Sequence, residues 1–217
     1  MSSSAPIAGD RATPFDMGWR FLSAFGFAQI CSWGTLYYAF PQIALAMSGA
    51  FGWDVSATYG ALTLGLLSSA AAAVPVGMAI DRGYGRYVMT GGSVLAGGFF
   101  MLWARADGLL QFYIAFTGIG LLQAAVLYSA AFAVVARHCA PHRVRDHITT
   151  LTLWGGFAST VFIPLIEFMM AYLDWRQVLM VLGGVNILVC AGVYAFLPSP
   201  LAPSVATDTV ASSPRLA

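Results

Sequence analysis

Long stretches without a charged residue are the feature that most limits how this chain can fold. Each of six such stretches reaches, or comes close to, the roughly 20 residues that a membrane-spanning helix needs. Lipid offers no hydrogen bonds to the backbone, so apolar segments of this length must be helical. The charge-free stretches are 21–53, 55–80, 87–104, 108–136, 147–166 and 177–207.

The composition points in the same direction. Hydrophobic residues make up 59% of the chain and charged residues 9%, whereas soluble domains carry about a quarter charged residues. We therefore predict an all-α integral membrane protein with six transmembrane helices in one up-down bundle. The predicted helices are 19–47, 56–80, 86–104, 109–137, 146–172 and 175–197.

The two ends of the chain differ from the bundle, which should occupy residues 19–197. Residues 1–18 and 198–217 are rich in Ser, Pro and small residues, so both should be disordered. Residues 1–18 also contain no apolar core or cleavage site of a signal peptide, so the first helix should act as the insertion signal.

The distribution of arginine predicts the orientation in the membrane. All ten positively charged residues are arginine, and eight of them lie on one side of the predicted bundle. Cytoplasmic loops carry such an excess, so we expect both termini to be cytoplasmic in a plasma or bacterial inner membrane. Arg105 and Arg176 lie on the opposite side. The eight are Arg11, Arg20, Arg82, Arg86, Arg137, Arg143, Arg145 and Arg215.

The segment GMAIDRGYGR, residues 77–86, concentrates charge in the predicted loop between the second and third helices. Asp81 would end the second helix, where Arg82 and Arg86 can pair with it or bind lipid phosphates. Arg137, at the end of the fourth helix on the same side, is a further candidate partner. Such ion pairs can act as a latch that holds one orientation of two bundles. The alternative is a positively charged loop that only determines the topology.

This segment resembles the signature loop of the major facilitator superfamily, Gly-x-x-x-Asp-Arg/Lys-x-Gly-x-Arg, which lies between the same two helices. Tyr84 stands where the family usually has glycine, with a glycine on either side. The resemblance implies a secondary transporter whose loop acts as a conformational latch. The latch residues here would be Gly77, Asp81, Arg82, Gly85, Arg86 and Arg137.

Four further segments look like the monocarboxylate and oxalate/formate porter branch of that superfamily: SWGTLYYAFPQIA, FGWDVSATYGAL, VVARH and YLDWRQVLMVLGG. The resemblance implies a small organic anion, such as a monocarboxylate, as the substrate. Transporters of this type pair two six-helix halves around a midplane site, so this chain would be the N-terminal half. The second half would be another copy or a separately encoded chain. The alternative is a truncated, non-transporting membrane protein or a regulatory partner of a full-length transporter.

Polar and aromatic side chains on one face of the first helix predict a substrate path. Gln29, Trp33 and Tyr37 follow at intervals of four residues, and their mid-span position is unusual for the aromatic belt. The alternative is that they only pack between helices. In the fourth helix Gln123 and Tyr128 are five residues apart and share no stripe, so we expect one of them, and not obviously both, to line the path.

Glu167 is the only charged residue away from the ends of a predicted helix. It shares a stripe with Thr152, Gly156, Ser159 and Ile163, so it should face protein or a cavity, where carboxylates often carry protons or bind cations. We therefore take it as a candidate for ion coupling. The alternative is that Glu167 reaches outer water, because it lies only about 10 Å of helix from the outer end of its span.

Other functions find little support. His138, Cys139, His142 and His147 follow no zinc-ligand spacing, and the arginines of their loop repel cations. No histidine lies at membrane depth to act as a protease base, and the sequence contains neither a His-Glu-x-x-His motif nor a nucleotide-binding loop. We expect no catalysis, cofactor, metal ion or nucleic acid. The expected partners are membrane lipid, a small-molecule substrate and a second six-helix half.

Single cysteines placed near Trp53, Asp107 and Asp174, in a background without native cysteines, should react with an impermeant thiol reagent in intact cells. The arginine bias places these three loops outside the cell, where the reagent reaches them. A cysteine in the 82–86 loop is the control and should react only after the membrane is permeabilised. Labelling of that control in intact cells would contradict the predicted orientation.

Overall fold

The computed structural model describes residues 18–139 and 141–197, and every regular element within these ranges is helical. This confirms the predicted all-α fold. The predicted disordered ends lie outside the described residues, apart from Gly18. The α-helices are α1 (Trp19–Trp33), α2 (Phe40–Phe51), α3 (Val55–Ala79), α4 (Gly85–Ala104), α5 (Leu109–Val126), α6 (Tyr128–His138), α7 (Pro141–Gly156), α8 (Ala158–Met170), α9 (Trp175–Val185) and α10 (Ala191–Ala195).

Four helical segments of the described chain are long and apolar enough to cross a membrane. One of them contains both α3 and α4, because a π-helical turn, Ile80–Tyr84, joins these helices into a segment of 50 residues. Length and hydropathy therefore support several membrane spans without establishing the predicted six. The four segments are Val55–Ala104, Leu109–His138, His142–Met170 and Trp175–Ala195.

The turn between α3 and α4 depends on one glycine. Gly83 has φ 93° and ψ 5°, which is left-handed backbone that glycine adopts without steric cost. Tyr84, which stands where the resembled motif has glycine, has φ −85° and therefore needs no glycine. Gly85 is buried, and a Cβ on it would lie 2.8 Å from Val134 of α6. A tyrosine at position 84 is thus compatible with the turn, because glycine is needed only at positions 83 and 85.

Three predicted helices are interrupted, and one of them begins earlier than predicted. The predicted helix 19–47 is divided by the π-helical segment Gly34–Tyr38 and a turn at Ala39, and its last part extends to Phe51. The predicted helix 109–137 breaks at Leu127, whose φ of −82° and ψ of −163° are extended. The predicted helix 146–172 breaks at Phe157 and begins already at Pro141. Proline favours the first turn of a helix. Polar residues follow Pro141, so a prediction from apolar stretches placed the start of this helix too late.

Glycines let neighbouring helices approach closely. α3 and α5 touch where Gly65 faces Gly120, and a Cβ built on Gly120 would overlap the backbone of Gly65. α4 and α9 meet in a similar way, since a Cβ on Gly97 would lie 2.8 Å from the carbonyl oxygen of Gly183. Lipid provides no hydrophobic force between helices, so this close contact supplies the packing energy of the bundle.

Aromatic rings fill the end of the bundle that should face outward. Phe40, Trp103, Phe112 and Phe116 are buried together, and the ring centroids of Phe40 and Phe116 are 4.5 Å apart. The indole N–H of Trp103 donates to Met47 Sδ at 3.0 Å. These contacts join α2, α4 and α5 near the ends of the latter two helices.

The same end of the bundle carries an ion pair. Arg176 Nη2 donates to Asp107 Oδ1 at 2.6 Å, and Arg176 Nη1 donates to the carbonyl oxygen of Ala104 at 2.7 Å. Arg176 lies in the first turn of α9, which begins after the N-capping residue Asp174. The arginine thus connects the start of α9 to the end of α4.

Replacing Gly120 with alanine should destabilise the bundle by about 1–3 kcal/mol, because the new methyl group overlaps backbone atoms that cannot rotate away. Gly98→Ala is the matched control in α4, since a Cβ there meets nothing within 4 Å. The control should be neutral or slightly stabilising, because alanine is the better helix former. Thermal unfolding in detergent measures both variants. Equal stability would show that α3 and α5 are not in tight contact.

Candidate substrate site

A π-helical segment, Gly34–Tyr38, joins α1 to α2 and carries a polar contact inside the bundle. In a π-helix each carbonyl oxygen accepts from the amide five residues further on. For Leu36 that residue is Pro41, which has no N–H. The Leu36 carbonyl oxygen accepts a hydrogen bond from Gln123 Nε2 of α5 at 2.8 Å.

This hydrogen bond determines the orientation of the Gln123 amide. A carbonyl oxygen can only accept, so Nε2 faces Leu36 and Oε1 points away from it. Gln123 is 4% exposed, and its Oε1 has no hydrogen-bond partner among the described residues. The side chain therefore presents an acceptor to the space beside it.

That space is a cavity of about 270 Å³ between α1, the π-helical segment that follows it, α3, α5 and α6. Four of the five predicted path residues line it, namely Trp33, Tyr37, Gln123 and Tyr128. The ring centroid of Trp33 lies 4.7 Å from that of Tyr128 and 5.7 Å from that of Tyr37. The indole N–H of Trp33 has no partner among the described residues. The other lining residues are Leu66, Ser69, Leu127 and Ser129.

The break at Leu127 brings Gln123 and Tyr128 to the same cavity. In an unbroken helix two residues five positions apart point in different directions. Here α5 ends at Val126 and α6 begins at Tyr128, so the helical register restarts between them. Both residues therefore line one cavity, although their spacing in the sequence gave no obvious shared stripe.

Gln29, the fifth predicted path residue, does not line this cavity. It is fully buried, and its Nε2 donates to the Val126 carbonyl oxygen at 2.9 Å and to the Tyr194 hydroxyl oxygen at 3.0 Å. Val126 is the last residue of α5, where carbonyl oxygens lose their partners in the next turn. In this structure Gln29 therefore joins α1 to α5 and α10.

Further polar residues, which the sequence pattern did not single out, extend this network. Ser32 Oγ lies 2.9 Å from the Tyr194 hydroxyl oxygen, and Asn186 Nδ2 donates to Thr35 Oγ1 at 2.8 Å. All four residues are buried. Asn186 is the only asparagine of the chain, and a lone amide in an apolar span is a signal that would have identified it.

Comparison with known sequences decides the family. The sequence profile of the Major Facilitator Superfamily matches residues 25–215, which include nearly the whole bundle. The chain belongs to the major facilitator superfamily. Monocarboxylate transporter 11 of Homo sapiens is 32% identical over 185 residues, a match that covers 81% of this chain and 37% of the human protein. The chain thus aligns with little more than a third of that relative, and the family points to a membrane transporter rather than to an enzyme.

The charged residues of the superfamily loop lie at the ends of α3, α4 and α6. Asp81, Arg82 and Arg86 are exposed, and Arg137 is partly buried. The packing of Gly85 against α6 holds the loop beside the end of that helix. In the described part of the chain, no ion pair within 4 Å joins Asp81 to these arginines. The latch therefore stays a prediction, namely that these ion pairs form in another orientation of the bundle.

Glu167 and its stripe lie on the surface of the described bundle. Glu167, Thr152, Gly156 and Ile163 are all exposed, so they do not line the cavity. Gln42 Nε2 donates to the Ile163 carbonyl oxygen at 3.0 Å, which fastens α2 to this part of α8. This surface faces either lipid or another protein, and the coupling role of Glu167 stays a prediction.

His138 at the end of α6 contacts the backbone, and His147 of α7 contacts Cys139. His147 Nδ1 lies 3.1 Å from Cys139 Sγ, and His138 Nδ1 lies 2.7 Å from the Val134 carbonyl oxygen. Within residues 18–139 and 141–197, no three His, Cys, Asp or Glu side chains are grouped as a metal ion would require. The contact between His147 and Cys139 joins the start of α7 to the end of α6.

Proposed function

We propose that this chain is the N-terminal six-helix half of a major facilitator secondary transporter for a small organic anion, such as a monocarboxylate. The observation that carries the proposal is the cavity lined by Trp33, Tyr37, Gln123 and Tyr128. Polar groups at membrane depth are costly, so a cluster of them around an open space indicates a ligand. Transporters of this superfamily bind their substrates near the midplane, between two such halves.

In this proposal the described helices form six membrane spans. Gly83 divides the segment Val55–Ala104 into helices of 25 and 20 residues, each long enough to cross most or all of a hydrocarbon core about 30 Å thick. The segment from Trp19 to Phe51, which contains α1, the π-helical segment and α2, supplies one more span. An even number of spans places both termini on one side of the membrane, and the arginine bias makes that side cytoplasmic.

The cavity suits a small anion better than a cation. Its lining contains no acidic residue. α6 begins at the cavity wall with Tyr128, and the first N–H groups of a helix attract negative charge. The human relative is a monocarboxylate transporter by name, and we extend that substrate class to this chain. The lining contains no arginine either, so further charge compensation would come from the second half.

A second half is part of the proposal, because the polar side of one bundle needs a cover at membrane depth. We therefore expect the chain to pair with another copy or with a separately encoded half, and to take up a radiolabelled monocarboxylate into liposomes in that form. Light scattering, with the detergent mass subtracted, measures the assembly. A strict monomer that transports would contradict the pairing. Absence of uptake by every assembly would favour a truncated, non-transporting protein.

Glu167→Gln should abolish uphill uptake while sparing substrate exchange, because glutamine keeps the size of the side chain but cannot carry the coupled proton. Proton-driven accumulation and exchange are measured in the same liposomes. Asp54→Asn is the control, since Asp54 is an exposed carboxylate just before α3 whose side chain makes no capping hydrogen bond. It should leave both rates unchanged. Normal accumulation by the Glu167 variant would leave that residue as an ordinary surface carboxylate.

A further inference from the structure

A groove on the side of the bundle, separate from the substrate cavity, lies between α1, α7 and α8. Its volume is about 370 Å³, and the surface that it presents is apolar. The one hydroxyl group in its lining, on Thr150, donates to the carbonyl oxygen of Asp146 in the same helix at 2.9 Å. The groove therefore suits an apolar ligand. Its lining residues are Ile30, Thr150, Leu153, Trp154, Phe157 and Val161.

Close packing of α1 and α7 gives the groove its floor. The indole ring of Trp154 lies against Gly26, and a Cβ built on Gly26 would overlap that ring. Leu153 and Phe157, by contrast, are 63% and 60% exposed. The groove thus has a closed floor between two packed helices and an open side that faces away from the bundle.

The groove covers the depth of the acyl chains of one leaflet. Asp146 is the last charged residue before the charge-free stretch 147–166. Thr150, Phe157 and Val161 follow Asp146 by about 6, 16 and 22 Å of helix. One leaflet occupies about 15 Å, which is half of the hydrocarbon core. The groove therefore runs from just inside the headgroups of one leaflet to the middle of the membrane or slightly beyond.

Two exposed arginines lie at the headgroup end of the groove. Arg143 precedes Thr150 by two turns of α7, and Arg20 precedes Ile30 by about three turns of α1. Asp146 is the only acidic residue of these two helices, so positive charge exceeds negative charge at this end. Guanidinium groups bind phosphate through paired, charge-assisted hydrogen bonds. The groove thus combines an apolar channel with a positively charged end.

We propose that this groove binds an anionic phospholipid of the leaflet that the arginine bias makes cytoplasmic. One acyl chain lies against Leu153 and Phe157, and the phosphate lies at Arg20 and Arg143. Basic residues beside a gap between membrane helices recognise anionic lipids through this combination of charge and apolar surface. The proposal does not depend on which substrate the cavity takes.

A second six-helix half fits this groove less well than lipid does. The polar surface that needs a protein cover lies on another flank of α7 and α8. Thr152 comes two residues after Thr150, and Glu167 comes six residues after Val161, which turns each of them by 120° or more, on the order of half a turn, away from the groove. A partner seated on the polar flank leaves the groove open to acyl chains.

The bound lipid has a structural role at the break between α7 and α8. Phe157 lies at this break and also lines the groove. An acyl chain packed there buries the exposed ring beside the interrupted helix. Bound phospholipid should therefore raise the unfolding temperature of the chain, because it binds the folded state.

The test compares two lipids with the same acyl chains on the purified full-length chain in a neutral detergent. Phosphatidylglycerol is anionic, and phosphatidylcholine is zwitterionic. Native mass spectrometry measures how much of each lipid the protein retains as the lipid concentration rises, and thermal unfolding measures the stabilisation. We expect one site that prefers phosphatidylglycerol about tenfold, because two arginines attract its headgroup.

Arg143→Gln should reduce this preference about fivefold, because it removes one of the two guanidinium groups. Arg145→Gln is the matched control, since Arg145 is also an exposed arginine at the start of α7. Its position two residues further on turns it by about 200° from Arg143, so it lies away from the groove. The control should keep the preference of the unmodified chain.

Leu153→Trp tests the apolar part of the site. The larger side chain occupies the groove, so the variant should retain less of both lipids. Leu188→Trp is the control, because Leu188 is an exposed leucine that does not line the groove. Both leucines are exposed, so neither change disturbs the packed core.

Equal retention of the two lipids by the unmodified chain would overturn the proposal. A preference that survives both Arg143→Gln and Leu153→Trp would overturn it as well, because the lipid would then bind elsewhere. The assembled transporter is measured in the same way. Retention of phosphatidylglycerol after assembly would support lipid as the occupant of the groove, whereas loss of the site on assembly would assign the groove to the second half.

Discussion

In lipid, every backbone carbonyl oxygen that leaves the regular helical pattern needs a donor from elsewhere in the protein, and this requirement organises the bundle. Three glutamine side chains donate to backbone carbonyl oxygens of other helical segments, and two of these oxygens lie where the regular helical pattern is interrupted. These two belong to the break in the fourth predicted span and to the π-helical segment after α1, whereas the third lies within α8. The three contacts run from Gln29 to Val126, from Gln42 to Ile163 and from Gln123 to Leu36.

The same kind of hydrogen bond, from a glutamine amide to a backbone carbonyl oxygen, occurs in two different surroundings. In one the side chain only holds helices together, and in the other it also lies beside a cavity. Gln29 and Gln123 both donate to a carbonyl oxygen, and sequence placed both on the substrate path. Gln29 is enclosed by other helices and also contacts Tyr194, whereas Gln123 keeps its oxygen beside an open cavity. Irregular helices are costly in a membrane, and they are tolerated where they line such a cavity. The break at Leu127 is of this kind, since it forms part of the cavity wall.

The two ends of the bundle differ in their electrostatics. At the end with the aromatic cluster, Arg176 binds Asp107 and the carbonyl oxygen of Ala104, which ties α9 to α4. At the other end, Asp81 and Arg82 are exposed at the turn between α3 and α4. In a two-bundle transporter, charges at helix ends are available to the opposite bundle, and contacts of that kind can form in one orientation and break in the other. Arg176 and Asp107 are thus paired at one end of the bundle, whereas Asp81 and Arg82 are exposed at the other.

The sequence by itself determined the class of this protein. Long charge-free stretches in lipid permit only helices, and the spacing around Asp81 is specific enough to indicate the superfamily. Four of the five residues predicted for the substrate path line one cavity, and they stood out in the sequence because amphipathic side chains at mid-span are costly unless they have a use. The break at Leu127, the early start at Pro141 and the separate roles of Gln29 and Gln123 were decided only by the tertiary structure. The reason is distance along the chain: the partner that orients Gln123 lies 87 residues away, and no local pattern specifies such a contact.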